Sequence, residues 1–232
     1  MIIRNADKHL LFITQPDHAQ LSRRVMEACT QLTTNPRRVH ILHAIGEHDN
    51  GWLEPDAAPI VDPASGKPFD FVSAPAAVRQ DVWPRGVRRL AQDPWAAALV
   101  AQHAITVYDR YASDAQWMPF FVCMKNLRDE MRRSSGEDPQ AIANDYAFVR
   151  LGDLISLAFC TSWTDPLGFA GWTVTRSGPH VRVSPDPFET AVIPLEIQAR
   201  ELRQGPYSTD AELRAEFAHA KVITLQGTVT GT

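Results

Sequence analysis

The sequence predicts a mainly α protein with a small β-rich C-terminal appendage, and three observations carry that expectation. Apolar residues recur at three- and four-residue steps through most of the first 165 positions, which is helical spacing. After Gly168 the pattern changes to short β-branched runs separated by Pro and Gly. The N-terminus holds two short apolar runs around a polar turn, so both chain ends read as strands. The expected organisation is an N-terminal hairpin over 1–14, a helical domain over 15–165 and a β-rich subdomain over 166–232 that the hairpin joins.

The hairpin pairs Ile2-Ile3-Arg4 with Leu10-Leu11-Phe12-Ile13-Thr14 across a turn at Asn5-Ala6-Asp7-Lys8. Gln15-Pro16-Asp17 ends it, and Asp17 is the expected N-cap of a first helix over 18–32, whose stripe is Leu21, Val25, Ala28, Cys29 and Leu32. A second helix over 36–48 carries Val39, Ile41, Leu42 and Ile45 and stops at Asp49-Asn50-Gly51. Residues 52–75 contain Pro55, Pro59, Pro63, Pro68, Pro75 and Gly66 without a sustained period, so they form a long ordered loop of the kind that often serves function. Helices resume over 76–92, 94–111, 115–133 and 139–159, with Pro84 bending or breaking the first. Strands follow at 172–175, 181–183, 191–199 and 222–229, with one short helix near 210–219.

Composition narrows the function classes. At 232 residues, with 44% hydrophobic and 22% charged side chains, the chain can bury a large core and is too apolar to be disordered. Its 23 basic and 27 acidic side chains leave a net charge of -4, which gives no footprint for wrapping nucleic acid or an anionic membrane. The N-terminus lacks an export-type apolar stretch and no later run is long enough to span a bilayer. Cys29, Cys123 and Cys160 are odd in number and far apart, which points to reduced thiols. A cytoplasmic protein with a small-molecule partner is expected, with homodimerisation through a strand edge as a use for the β-rich tail.

Four helices carry an ionisable residue where their apolar line calls for a hydrophobic one, and such a residue destabilises the fold unless it finds a partner. His18 lies three residues before Leu21; Ile41, Ile45 and His48 form one line and Leu42, Ile45 and Asp49 its neighbour. Leu99, His103 and Val107 step by fours, and Asp153 interrupts Ile142, Tyr146, Val149 and Leu157. Such groups either satisfy one another by hydrogen bonds or are neutralised together by a divalent metal. The His-Asp dipeptide is weak evidence alone, since chance supplies about 0.6 in a chain of this composition. Repetition of the defect across four helices is the stronger signal.

The order His18, then His48-Asp49 at a helix end, then Asp153 in a late helix resembles the HD-domain superfamily of metal-dependent phosphohydrolases, whose pattern is H…HD…D on a helical bundle. The strings Gln15-Pro16-Asp17-His18, His48-Asp49-Asn50-Gly51-Trp52 and Gly152-Asp153-Leu154-Ile155-Ser156-Leu157 also look like an uncharacterised bacterial family of unknown function spanning essentially the whole chain. The HD resemblance implies an HD-like helical bundle in which His18, His48, Asp49 and Asp153 ligate one divalent ion: Mn, Fe, Co, Ni or Zn. The ion would lower the pKa of a bound water and supply a nucleophile at neutral pH. Asp49 and His103 are the candidate catalytic residues. His103 suits a second-metal ligand, a substrate hydrogen bond or general acid work, and a second site would need help from His43 or Asp56. The pattern departs from the superfamily at Gly51, where Trp52 follows instead of Lys and forms an apolar wall. Positive charge would then come from Lys67, Arg88, Arg89 or Lys125. The expected activity is hydrolysis of a small phosphorylated compound by metal-activated water; the alternatives are a non-catalytic metal-binding or ligand-sensing protein and an HD-type iron oxygenase.

Overall fold

The structure, a computed structural model, describes residues 1–232. Strands β1 (Ile2–Ala6) and β2 (His9–Ile13) form the N-terminal hairpin. Nine helices follow in chain order: α1 (Gln15–Met26), α2 (Thr30–Thr33), α3 (Arg38–Glu47), α4 (Leu53–Ala57), α5 (Ala76–Arg89), α6 (Pro94–Val107), α7 (Met118–Ser135), α8 (Ala141–Cys160) and, among the C-terminal strands, α9 (Asp210–His219). The remaining strands are β3 (Leu167–Phe169), β4 (Trp172–Ser177), β5 (His180–Ser184), β6 (Val192–Arg203) and β7 (Lys221–Gly231).

The expectation of a mainly α, HD-like helical bundle with a small β-rich appendage does not hold. The chain is 49% helical and 21% strand, and its strands make one curled seven-stranded mixed sheet. The sheet runs β1-β2-β6-β7-β5-β4-β3, antiparallel throughout except for the parallel pair β5 and β7. Strand β6 explains the size of the sheet. Its C-terminal part pairs with the hairpin, Phe12 opposite Arg200 and His9 opposite Arg203, while nearly its whole length pairs with β7. Along it Leu195, Ile197 and Ala199 are buried on one face, the alternation of a strand with one side on a core, while Leu202 points the other way into a small second cluster with Leu10, Phe12 and Leu213. That side is covered by helices: α1 packs on β6, and α8 packs on β3, β4 and β5. Trp172, Val174, Val181 and Val183 from the strands therefore belong to the same buried cluster as Leu21, Ile45, Leu99 and Ile155 from the helices.

Several boundaries shift for local reasons. Thr14, not Asp17, caps α1; its hydroxyl accepts from the Asp17 N–H at 3.1 Å, with Pro16 in the first turn. Helix α1 stops at Met26, and after a break the Thr30 N–H of α2 donates to the Pro187 carbonyl at 3.0 Å. Helix α5 runs through Pro84 to Arg89. The Pro-rich segment begins with a short 3-10 turn at Asn50–Trp52 and α4, and is irregular from there to Pro75 apart from a bridge between Val61 and Pro68. No helix is long and apolar enough to cross a membrane.

Candidate metal centre

Helices α1, α3, α6 and α8 meet in the core, and each brings a polar residue to the meeting point. His18 sits on the buried stripe of α1, His48 caps the C-terminus of α3 with Asp49 following it, His103 comes from α6 and Asp153 from the middle of α8. All five are at most 4% exposed. Charged or hydrogen-bonding groups at that depth must satisfy one another.

Four of them gather around the facing imidazoles of His18 and His48. His18 Nε2 lies 3.0 Å from Asp49 Oδ2, 3.1 Å from His48 Nε2 and 3.6 Å from Asp153 Oδ1. His48 Nε2 lies 3.5 Å from both Asp49 Oδ2 and Asp153 Oδ1. The triangle of His18 Nε2, His48 Nε2 and Asp49 Oδ2, with sides of 3.0, 3.1 and 3.5 Å, is small enough for all three to reach one ion at about 2.0 Å, the bond length of zinc-type ions to imidazole and carboxylate. His18, His48 and Asp49 form one possible metal-binding group, and His48, His103 and Asp153 a second.

The surrounding hydrogen bonds aim the donors inward. The His48 Nδ1–H donates to the Ile45 carbonyl at 2.7 Å, which leaves Nε2 to face the centre. His18 Nδ1 lies 2.6 Å from Ser156 Oγ, and Ser156 in turn lies 2.7 Å from Ser22 Oγ and donates to the Asp153 carbonyl at 3.0 Å. Gly152 lets α8 approach closely enough for this: a Cβ there would stand 2.9 Å from Met26 Cγ and 3.2 Å from Ile45 Cγ2. Asp153 divides its oxygens, Oδ1 toward the two imidazoles and Oδ2 toward the Arg150 guanidinium and His103 Nε2, the latter at 3.7 Å.

The charges follow from this packing. Burial pushes His48 down, but the carboxylates of Asp49 and Asp153 outweigh it and hold the imidazole at about 9. Burial pushes Asp49 up and the two facing imidazoles bring it below the usual carboxylate range. Asp153 is likewise held low, by Arg150 and the imidazoles, against its burial. His103 is driven down to about 3 by burial, with His48 and Arg150 adding to it, so it is neutral at pH 7. The Tyr146 hydroxyl, raised by burial and therefore protonated, lies 3.2 Å from His103 Nδ1; as donor it leaves the N–H of His103 on Nε2.

A cavity of about 220 Å³ opens beside the centre, lined by Asp49, His103 and Asp153 together with Trp52, Phe71, Val72, Trp83 and Trp163. Trp52 does form an apolar wall, and the Pro-rich segment contributes Phe71 and Val72. The positive charge comes from Arg79, Arg110 and Arg150, whereas Lys67, Arg88, Arg89 and Lys125 do not line the cavity. Arg89 is bound to Glu54 and the Asn50 carbonyl. His43 and Asp56 stand apart from the centre: His43 pairs with Asp93 at 2.7 Å, and Asp56 takes the Met1 ammonium and the Gln15 N–H. Of the arginines, only Arg150 left a mark in the sequence, three residues before Asp153 on one helix face. Arg79 and Arg110 reach the cavity through tertiary packing and have no local signature.

No curated protein and no solved structure matches the chain. Over residues 1–204 it matches a family described as a protein of unknown function, DUF3891, and the chain belongs to that family.

Proposed function

We propose that the protein is a metal-dependent hydrolase of a small phosphorylated compound, with His18, His48, Asp49 and Asp153 holding one divalent ion in an HD-type arrangement. The observation that carries this reading is the buried cluster of imidazoles and carboxylates bordering an arginine-lined cavity. A purely structural metal site is closed, and an enzyme needs room for water and substrate beside the ion. The bound ion would supply a water of lowered pKa and neutralise developing charge.

The chain's own residues do the rest. Asp49, which also lines the cavity, orients the attacking water by accepting a hydrogen bond from it. Arg150 is already committed to Asp153 Oδ2 and holds that carboxylate ionised beside the substrate phosphate. His103, neutral and with N–H on Nε2, donates a hydrogen bond to the phosphate or the leaving oxygen; its low pKa argues against a role as imidazolium acid. Trp52, Phe71 and Trp83 exclude bulk water from the rest of the cavity.

Elemental analysis of protein purified without chelator should find stoichiometric divalent metal. His48→Ala should lose it, together with activity on a panel of phosphomonoesters. Unchanged metal content in His48→Ala would sink the proposal.

A further inference from the structure

Two guanidiniums on the cavity wall have no carboxylate partner. Arg37, Arg85, Arg89, Arg128, Arg150 and Arg203 each hold a carboxylate, whereas Arg79 and Arg110 hold none. Arg79 is instead fixed by aromatic rings. Its guanidinium carbon lies 5.2 Å from the Trp117 ring, 5.4 Å from Tyr111 and 6.0 Å from Tyr108, and its Nη1 donates to the Tyr111 hydroxyl at 3.2 Å. Tyr111 and Trp117 stack at 4.6 Å and 7°, which makes the support rigid. Arg79 Nε is buried and donates to nothing. Arg110 lies 4.9 Å from the Tyr111 ring. Ring faces orient a guanidinium without neutralising it, so both charges remain available to an anion, for which arginine's planar fork is suited.

The same cavity offers an aromatic surface. Phe71 and Trp163 lie 5.9 Å apart, tilted by 43°, and Trp163 is 41% exposed, the one aromatic ring among the chain's exposed large hydrophobic residues. A half-open tryptophan lining the same cavity as unpaired cations is a stacking surface for a ring that carries negative charge. The volume favours a small ligand. A dry cavity of roughly 150 Å³ takes benzene, so the 220 Å³ here suits a single ring with one compact anionic substituent.

We infer that this cavity recognises a small aromatic phosphate-type anion built on one ring, with Arg79 and Arg110 taking its oxygens and Phe71 and Trp163 its ring. The inference names the substrate class of the proposed hydrolase and rests on that reading for the bond that is cut, not for binding.

The test is calorimetric titration in chelator with phenylphosphonate, whose carbon–phosphorus bond resists hydrolysis. Methylphosphonate and phenol serve as the ringless and chargeless fragments. Phenylphosphonate should bind at least about tenfold more tightly than either fragment, and Arg79→Met and Arg110→Gln should each weaken it by about tenfold or more. Trp163→Ala should weaken it about fivefold and leave methylphosphonate unchanged. Arg110 is exposed, so Arg110→Gln decides the matter if Arg79→Met disturbs its aromatic support. Equal affinity for phenylphosphonate and methylphosphonate, or no change in Arg110→Gln, would overturn the inference whatever the metal content. Unchanged metal in His48→Ala would remove the hydrolase reading and leave these titrations standing.

Discussion

At the scale of single residues, the candidate centre packs imidazoles against carboxylates, an arrangement that a cation between them would satisfy. Without metal, that cation is the proton His48 keeps up to about 9. A group whose folded pKa lies above its unfolded value of about 6.5 contributes stability fully below the latter. The contribution fades as pH rises through about 9, and on this shift is on the order of 3 kcal/mol. Chelated protein should therefore melt at lower temperature at pH 9.5 than at pH 6.5, by more than the His48→Gln variant does, and calorimetry at both pH values checks it. Saturating zinc or manganese should flatten the difference, because a bound ion has already displaced the proton. A wild-type profile that matches the variant's would show that His48 is not the group that titrates. Much of this centre was legible in the sequence, because an ionisable residue in phase with apolar neighbours has only the core to face: His18, His48, His103 and Asp153 were readable for that reason. Arg79 and Arg110 were not, because an arginine on a mixed helix face or in a turn reads as solvated, and only the rings of Tyr108, Tyr111 and Trp117 reveal otherwise.

At the scale of elements, the centre depends on one close approach. The turn Asn50–Trp52 lies against α5 so tightly that a Cβ on Gly51 would stand 1.9 Å from the Val82 carbonyl oxygen and 2.7 Å from its carbon. Backbone cannot yield as a side chain does, so the turn that links Asp49 to the wall residue Trp52 would have to move. Gly51→Ala should cost about 2–3 kcal/mol of stability and lower metal affinity as well. Gly168→Ala, whose Cβ would meet nothing closer than 3.4 Å, is the control and should cost much less. Chemical denaturation with metal titration separates the two; equal losses would show that the approach of α5 is not what sets Gly51. Trp52, next in the turn, is buried in the core cluster, where a lysine would leave a charge unpaired. Helix periodicity placed most long elements to within a few residues, but it ran the first helix on through the break after Met26 into α2, and it missed the short helix α4 and the strand β3, which are too brief to show a period.

At the scale of the whole molecule, the sheet is a structural layer, and its order tells which part is indispensable. Alternation along β6 showed that one face is buried, yet alternation is silent about what covers it, and a helical layer of this size reads from sequence as a separate bundle. In the fold the cover is α1 and α8, the helices that carry His18 and Asp153, so the sheet holds two arms of the candidate metal centre at their spacing. Strand β7 is central to this. It joins β6 along Lys221 to Thr230 and β5 along Thr228 to Gly231, and without it the sheet divides into β1-β2-β6 and β5-β4-β3. The family match ends at residue 204, before β7 begins. A chain cut after residue 204 keeps every metal-centre residue and loses the strand between the two halves of the sheet. It should aggregate or melt well below the full chain, and its metal content should fall even though His18, His48, Asp49 and Asp153 are all present. Size-exclusion chromatography, circular dichroism and elemental analysis of the two chains side by side test this. A truncated chain that stayed monomeric, cooperative and metal-loaded would mean that the helices hold the centre unaided and that the sheet is dispensable to it.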